Sequence, residues 1–288
     1  MKAMVLGAGG QIGRALLALV PDGTTPFAYD RAALDISDPR GIRRAIDEVR
    51  PDIILNAAAY TNVDGAETNI NDAQCINADA PGHLAAAARQ AGARLLHIST
   101  DFVFDGFVPT PRRPDDPTNP LNVYGRTKRA GEQAVLAAAP DSLIVRSAWI
   151  YAAQGKNFLN VMLGLMRERG RVTVVADQIG TPTWAMSLAA ALWALVRTDS
   201  KGIHHYTDAG IASWYDFAVA IEEEARAIDL LAGPVDIVPI STADYPTPAV
   251  RPPYGVLDKQ QTWRLLGGPA PHWRVSLRAC LEELKASG

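Results

Sequence analysis

A short apolar run over residues 3–6 breaks into Gly7-Ala8-Gly9-Gly10-Gln11-Ile12-Gly13, and a helical stretch follows over 11–20. A strand, a G-x-x-G-x-x-G turn and a helix in direct succession restrict the fold more than any other feature of the chain. Gly7 permits the tight turn, Gly10 lets backbone approach a diphosphate, and Gly13 lets the helix pack close to the strand. The first N–H groups of the helix have no partner within it and favour phosphate. Glycine spacing alone is common; its place between a strand and a helix makes it a dinucleotide cradle. A second strand over 27–29 ends in Asp30-Arg31, 23 residues after Gly7. A carboxylate there suits the adenine-ribose hydroxyls. Arg31 suits a 2′-phosphate, so NADH and NADPH both remain open.

The same rhythm repeats down the first half. Leu34-Asp35-Ile36 precedes a helix capped by Ser37 or Asp38 with Pro39 in its first turn, so Asp35 and Ile36 either flank an adenine or form a capping loop. A third strand over 52–55 runs into Asn56 and three alanines ending at Ala59, then Tyr60 and Thr61; small residues there let a cofactor lie against the backbone. A long helix over 71–90 carries Asn77, read as a polar support of the sheet. The fourth and fifth strands, 95–98 and 143–146, complete five strands alternating with helices. That pattern predicts an α/β fold of Rossmann type, a doubly wound parallel sheet, over 1–150. Residues 151–288 read mainly as a smaller C-terminal substrate lobe, with parts of 170–200 returning to the first domain. Strands are expected at 172–175 and 203–206, helices at 157–168, 184–197, 214–227, 260–266 and 275–285, and a Pro-rich segment over 239–255.

The fourth strand delivers Ser99, Thr100 and Asp101 at its C-terminal end, and a Pro-rich loop leads to Tyr124-Gly-Arg-Thr-Lys128 at the start of a helix. Tyr124 and Lys128 share a helix face. If that helix lies beside the strand end, a hydroxyl, a phenol and an ammonium converge. Such a set delivers a proton to a carbonyl under reduction. Lowering the phenol from about 10 to near 7 takes about 4 kcal/mol of preference for phenolate, which Lys128 is placed to favour. A Y-x-x-x-K alone occurs on many surface helices. The nucleotide cradle before it and the S-T-D at a strand end give this one its meaning.

Composition narrows the rest. A net charge of −3 with no dominant basic run argues against nucleic acid or an anionic membrane as partner. The longest apolar run, 188–196, is too short to span a bilayer, and the first strand begins too early to follow a signal peptide. Cys75 and Cys280 lack metal spacing; they leave open one long-range disulfide but fit better two thiols in a reducing compartment, so a cytoplasmic location is expected. The five histidines form no metal cluster.

The chain resembles the extended short-chain dehydrogenases/reductases, and among them the family that makes dTDP-L-rhamnose by reducing a 4-keto sugar nucleotide. The carriers are GAGGQIGRAL (7–16), NAAAYTNVDGAE (56–67), STDFVFDG (99–106), PLNVYGRTKRAGE (120–132), RSAWIYAAQGKNF (146–158), DQIGTPT (177–183) and YPTPAVRP (245–252). The resemblance covers nearly the whole chain. It implies NADPH- or NADH-dependent reduction of the C4 ketone of dTDP-6-deoxy-L-lyxo-4-hexulose. It implies Tyr124 as proton donor, Lys128 as its electrostatic partner and Thr100 as the substrate-orienting hydroxyl. Gly10, Gln11 and Ile12 would meet the cofactor diphosphate, with Gly7 shaping the turn. Asp30 would meet the adenosine ribose, Arg31 a 2′-phosphate, and Asp35 and Ile36 the adenine. Ala59, Tyr60 and Thr61 would line the cofactor, with Ile98 adding backbone and Tyr124 and Lys128 reaching the nicotinamide ribose. Thr100, Asp101, Trp149 and Arg251 would meet the dTDP-sugar.

Two positions depart from the family pattern. Ala15 and Met186 stand where members that form a metal-bridged dimer carry glutamates, which argues against a Mg²⁺ link and leaves a monomer or another homodimer. Phe102 stands where a tyrosine is frequent. Two rival readings share the scaffold: another nucleotide-sugar reductase or epimerase, and a non-catalytic partner resembling the regulatory β subunit of methionine adenosyltransferase.

Overall fold

The apolar runs of the first half are buried on both sides, which only a sheet covered on two faces can provide. In the computed structural model, which describes residues 1–287, β1 (Lys2–Leu6), β2 (Thr25–Tyr29), β3 (Ile53–Asn56), β4 (Arg94–Thr100), β5 (Leu143–Ser147) and β6 (Gly202–His205) form one sheet. Its order is β6-β5-β4-β3-β1-β2, and every pairing is parallel. Leu6 pairs with Tyr29 and Asn56, Asn56 with His97, and Thr100 with Ser147, so these strand ends meet along one edge. The chain winds outward from β1 to β2 on one side and from β3 to β6 on the other. The crevice between β1 and β3 is therefore the switch point where such sheets bind ligands.

Alternation along each strand builds the two layers. Ala3, Val5, Leu55, Leu96 and Val145 face α1 (Gln11–Ala18) and α6 (Ala185–Val196). Trp193 of α6 donates its indole N–H to the Leu16 carbonyl at 2.9 Å. Met4, Leu6, Ile54, Leu95 and Ile144 face α2 (Pro39–Val49), α3 (Ala80–Gln90) and α4 (Val123–Ala138). Asp38 caps α2 by accepting from Arg40 N, with Pro39 at the first turn. Asn122 caps α4 by accepting from Gly125 N at 2.8 Å. A second core gathers Tyr151, Leu163, Phe217, Ile221 and Leu277 from α5 (Phe158–Glu168), α7 (Trp214–Ala227), α8 (Trp273–Ser287) and their neighbours.

Three details differ from the sequence expectation. The sheet has six strands, because the strand expected over 203–206 forms at Gly202–His205 and pairs with β5 at its edge; a short stretch with two histidines does not announce which sheet it joins. Asp236–Ile240 is a strand parallel to Arg171–Val175, with Pro239 inside it. Proline is tolerated on an edge strand but reads from sequence as a breaker. The long helix over 71–90 is interrupted by a π turn at Cys75–Asp79 just before Pro81. Proline has no N–H for the Asn77 carbonyl four residues back, which is one physical cause of such an interruption.

Candidate active site

The strand ends open into a cleft of about 1210 Å³. Gly7 ends β1 at φ +74°, and a side chain there would meet Ala57 O and Ala58 N at 2.8 and 2.7 Å, so glycine is needed for β1 and β3 to part. A Cβ on Gly13 would come to 2.1 Å from the Gly7 carbonyl. Helix α1 starts at Gln11 with no side-chain cap, leaving its first N–H groups turned to the cleft. Arg14 donates to the Gly9 carbonyl, and Asn157 Nδ2 donates to Gln11 Oε1 at 2.9 Å, tying the loop before α5 to the glycine turn.

At the end of β2, one carboxylate oxygen of Asp30 accepts from Ala32 N and Ala33 N at 3.0 and 2.9 Å. Arg31, Asp35 and Ile36 line the same end of the cleft. Hydrogen bonds from the Ser37 N–H and hydroxyl hold Asp35 below the usual carboxylate range. After β3, Ala59, Tyr60 and Thr61 form a wall. Buried Asn77 fixes that wall: its Oδ1 accepts from Tyr60 N at 2.9 Å and its Nδ2 donates to Tyr60 O at 3.0 Å.

Thr100 and Asp101 leave β4 into a short 3₁₀ turn, and Tyr124 and Lys128 approach on α4. The approach depends on Gly125, where a Cβ would lie 2.2 Å from the Phe102 carbonyl. Glu67 accepts from Val123 N at 2.7 Å, and Asn122 Nδ2 donates to Val250 O at 2.8 Å, so α4 is anchored at its start from two segments. The Phe102 ring meets Tyr124 edge-on at 5.6 Å. Burial, with the Asp101 carboxylate adding to it, pushes the Tyr124 phenol up to about 12, while a hydrogen bond with Thr100 opposes. The sequence reading expected Lys128 to lower this phenol; desolvation is the larger effect in this site.

Lys128 is buried and does not line the cleft; its Nζ donates to the Ile98 carbonyl at 2.7 Å. Burial brings its pKa down to about 8, opposed by Glu132 one turn on. Ile98 thus meets Lys128 through its carbonyl rather than forming the cleft wall. Beneath, Glu132 accepts from Arg146 at 2.7 and 2.8 Å and from the Ser99 hydroxyl at 2.6 Å. Burial raises Asp101 to about 7, and Thr100 donates to its carboxylate at 3.1 Å.

The far wall is aromatic. Trp149, at φ +49°, stacks on Trp214 with ring centres 3.5 Å apart and planes 6° apart. Gly180 makes room, since a Cβ there would come within 2.4 Å of the indole. The Ser147 hydroxyl, buried at the cleft, has no hydrogen-bond partner. Arg251 does not line the cleft: its guanidinium grips Asp64 at 2.6 and 2.8 Å, and that bond holds the Asp64 carboxyl below its usual range. Among the described residues, no cluster of His, Cys, Asp and Glu could hold a metal. Gln11's partner Asn157, the Trp149 partner Trp214, and Gly125 escaped the sequence reading; a glycine inside Y-G-R-T-K was the one available hint of a close helix crossing.

A parallel sheet of this order, with a glycine turn on its first strand and a cleft over its carboxyl edge, defines a nucleotide-binding protein of the short-chain dehydrogenase/reductase architecture. The RmlD substrate binding domain family matches residues 1–286. The dTDP-4-dehydrorhamnose reductase of Burkholderia thailandensis is 41% identical, over 99% of this chain and 99% of its own. Among solved structures, a Clostridium acetobutylicum dTDP-4-dehydrorhamnose reductase superposes with a TM-score of 0.93 at 38% identity, over 99% of this chain and 100% of its own. The Bacillus anthracis dTDP-4-dehydrorhamnose reductase in complex with NADP also reaches 0.93, at 34% identity over 98% and 99%. The chain belongs to the dTDP-4-dehydrorhamnose reductase (RmlD) family.

Proposed function

We propose that the chain reduces the C4 ketone of dTDP-6-deoxy-L-lyxo-4-hexulose to dTDP-L-rhamnose with NADPH or NADH. The observation that carries this reading is the Tyr124 phenol hydrogen-bonded with Thr100 at the end of β4, with Lys128 one helical turn behind on the Ile98 carbonyl, in a chain that matches the family over residues 1–286. The residues fit a dinucleotide. The uncapped N-terminus of α1, the bare Gly7–Gly13 turn and the free carboxylate oxygen of Asp30 suit a diphosphate and a ribose, with Asp35 and Ile36 beside the adenine. Bound there, the reduced nicotinamide supplies the hydride.

The chain's own residues supply the proton and the alignment. Hydride addition leaves an alkoxide on the sugar. Tyr124, whose phenol stays protonated at neutral pH, gives that oxygen its proton. Thr100 hydrogen-bonds the same oxygen and holds it beside the phenol. Lys128, as the ammonium, eases the phenolate that remains. Trp149 backed by Trp214 offers a flat apolar wall to one face of the sugar, and the unpartnered Ser147 hydroxyl offers it a hydrogen bond. Arg251, held by Asp64, must change partner before it can reach a diphosphate.

We assign the cofactor region to residues 1–150 together with the returning α6 and β6, and the dTDP-sugar region mainly to 151–288. No helix among the described residues is long and apolar enough to cross a membrane. Two free thiols, Cys75 and Cys280, suit a cytoplasmic setting. Ala15 and Met186 support a monomer or a homodimer without a bridging metal. The test is incubation with the 4-keto sugar nucleotide and NADPH or NADH. The expected result is oxidation of the coenzyme with dTDP-L-rhamnose as product. Tight coenzyme binding without turnover would favour the regulatory-subunit reading, and turnover only of another sugar would favour the other nucleotide-sugar enzymes.

A further inference from the structure

Behind Lys128 lies a buried histidine that the reaction above does not use. His97 on β4 is fully buried; its Nδ1 faces Asn56 Nδ2 at 3.0 Å, and its Nε2 faces Lys128 Nζ at 3.4 Å. The orientation of Asn56 is fixed, because its Oδ1 accepts from Ala58 N at 3.1 Å. Asn56 therefore donates to His97 Nδ1, which must be the unprotonated ring nitrogen. A neutral imidazole then carries its hydrogen on Nε2, pointed at Lys128. Burial and the nearby lysine hold His97 well below its usual pKa, so the ring is neutral.

An ammonium and an Nε2–H are both donors, and the 3.4 Å separation is longer than a good hydrogen bond. An uncharged amine has a lone pair to accept that hydrogen while still donating to the Ile98 carbonyl. The reverse arrangement, with Nε2 accepting from an ammonium, needs the Nδ1–H tautomer and a flipped Asn56. That flip sets its NH₂ against Ala58 N–H at the cleft wall.

We infer that His97 is a positioning residue for Lys128: locked by Asn56 in the Nε2–H tautomer, it presents a donor to the lysine nitrogen and makes the ammonium readier to release its proton. The inference rests on the reductase reading only for its kinetic consequence. Glu132 and Tyr124 lie on the same helix as Lys128, with Glu132 neutralised by Arg146 of β5 and by Arg129. Asp101 follows β4. The turns packed against α4 bring exposed Asp72 and Asp79, half-buried Cys75, Glu67 held by Val123 N, and Asp64 paired with Arg251; α3 brings exposed His83 and Arg89, which donates to the Ala138 carbonyl. Among the described residues, only His97 faces Nζ with a ring nitrogen.

Two measurements test it. Nitrogen-15 NMR of the histidines in the native protein should find His97 as the neutral Nε2–H tautomer; an Nδ1–H tautomer would overturn the inference whether or not the protein turns over a sugar. The second is the pH profile of His97→Gln, whose side-chain carbonyl can accept from the ammonium. The alkaline limb of kcat/KM, set by Lys128 losing its proton, should move up by about one unit or more. A limb that stays in place while kcat alone falls would assign His97 a purely structural role. Absence of turnover in the native protein would count against the reductase reading, and the tautomer result would stand apart from it.

Discussion

Gly125→Ala is a one-methyl change that tests how the catalytic helix is seated. The added Cβ would sit 2.2 Å from the Phe102 carbonyl, a backbone atom that cannot swing aside. Ordinary carbon contacts begin near 3.5 Å, so α4 and the turn must separate by roughly 1 Å. Alanine gains about 1 kcal/mol of helix propensity, and overpacking costs about 1–3 kcal/mol, so the net stability loss stays within about 2 kcal/mol. Activity suffers more, because the separation falls between Thr100 on β4 and Tyr124 beside the substituted residue. A misplacement of about 1 Å in a catalytic pair costs on the order of 100-fold in rate. Denaturant melts and steady-state kinetics on the same preparation separate the two effects. A variant of full activity and unchanged stability would refute the claim that close backbone approach aligns the site.

Glu132→Ala leaves Arg146, 1% exposed, without its carboxylate; chemical denaturation should show a loss of about 3–5 kcal/mol. Asp101 has a folded pKa of about 7 against 3.8 when unfolded, so between those values the folded chain holds a proton the unfolded chain has released. Its contribution to stability is full below pH 3.8 and falls as pH rises toward 7, and Asp101→Asn should flatten that part of the pH–stability curve. Arg31→Ala should raise the KM for NADPH about tenfold, or about 1.4 kcal/mol, with little change for NADH; equal effects on both coenzymes would remove Arg31 from a phosphate-reading role.

The parallel sheet was legible because burial on both faces turns β1, β3, β4 and β5 into plain apolar runs, each punctuated by a glycine or polar residue at the carboxyl end. Asp38-Pro39 marked a helix start by the chemistry of its own side chains, whereas the Asn122 and Asn157 caps emerged only in the structure. What stayed hidden depends on partners distant in sequence. The strand expected over 203–206 was legible, but its place as the sixth strand of the sheet depends on the edge that β5 offers. The Asp236–Ile240 strand needs Arg171–Val175 beside it, and its proline argued the other way. In the site, Tyr124 and Lys128 could be placed on one helix face from spacing alone. Burial then decided the proton affinities: Tyr124 rises and Lys128 falls, and no sequence window contains the desolvation that does this. Arg251 illustrates the same limit. Its residue type suits a diphosphate, yet its guanidinium is taken by Asp64, 187 residues away in the chain.

The proposed reaction turns on Tyr124 protonating the reduced sugar oxygen. Its most direct test is a single turnover of Tyr124→Phe loaded with NADPH and mixed with the 4-keto sugar nucleotide, with coenzyme affinity measured in parallel. A hydride-transfer rate lower by about 10²–10⁴-fold, with coenzyme affinity nearly unchanged, is the expected result. Reduction at the native rate would contradict it and move the acid role to another group of the cleft, with buried Asp101 the first to examine.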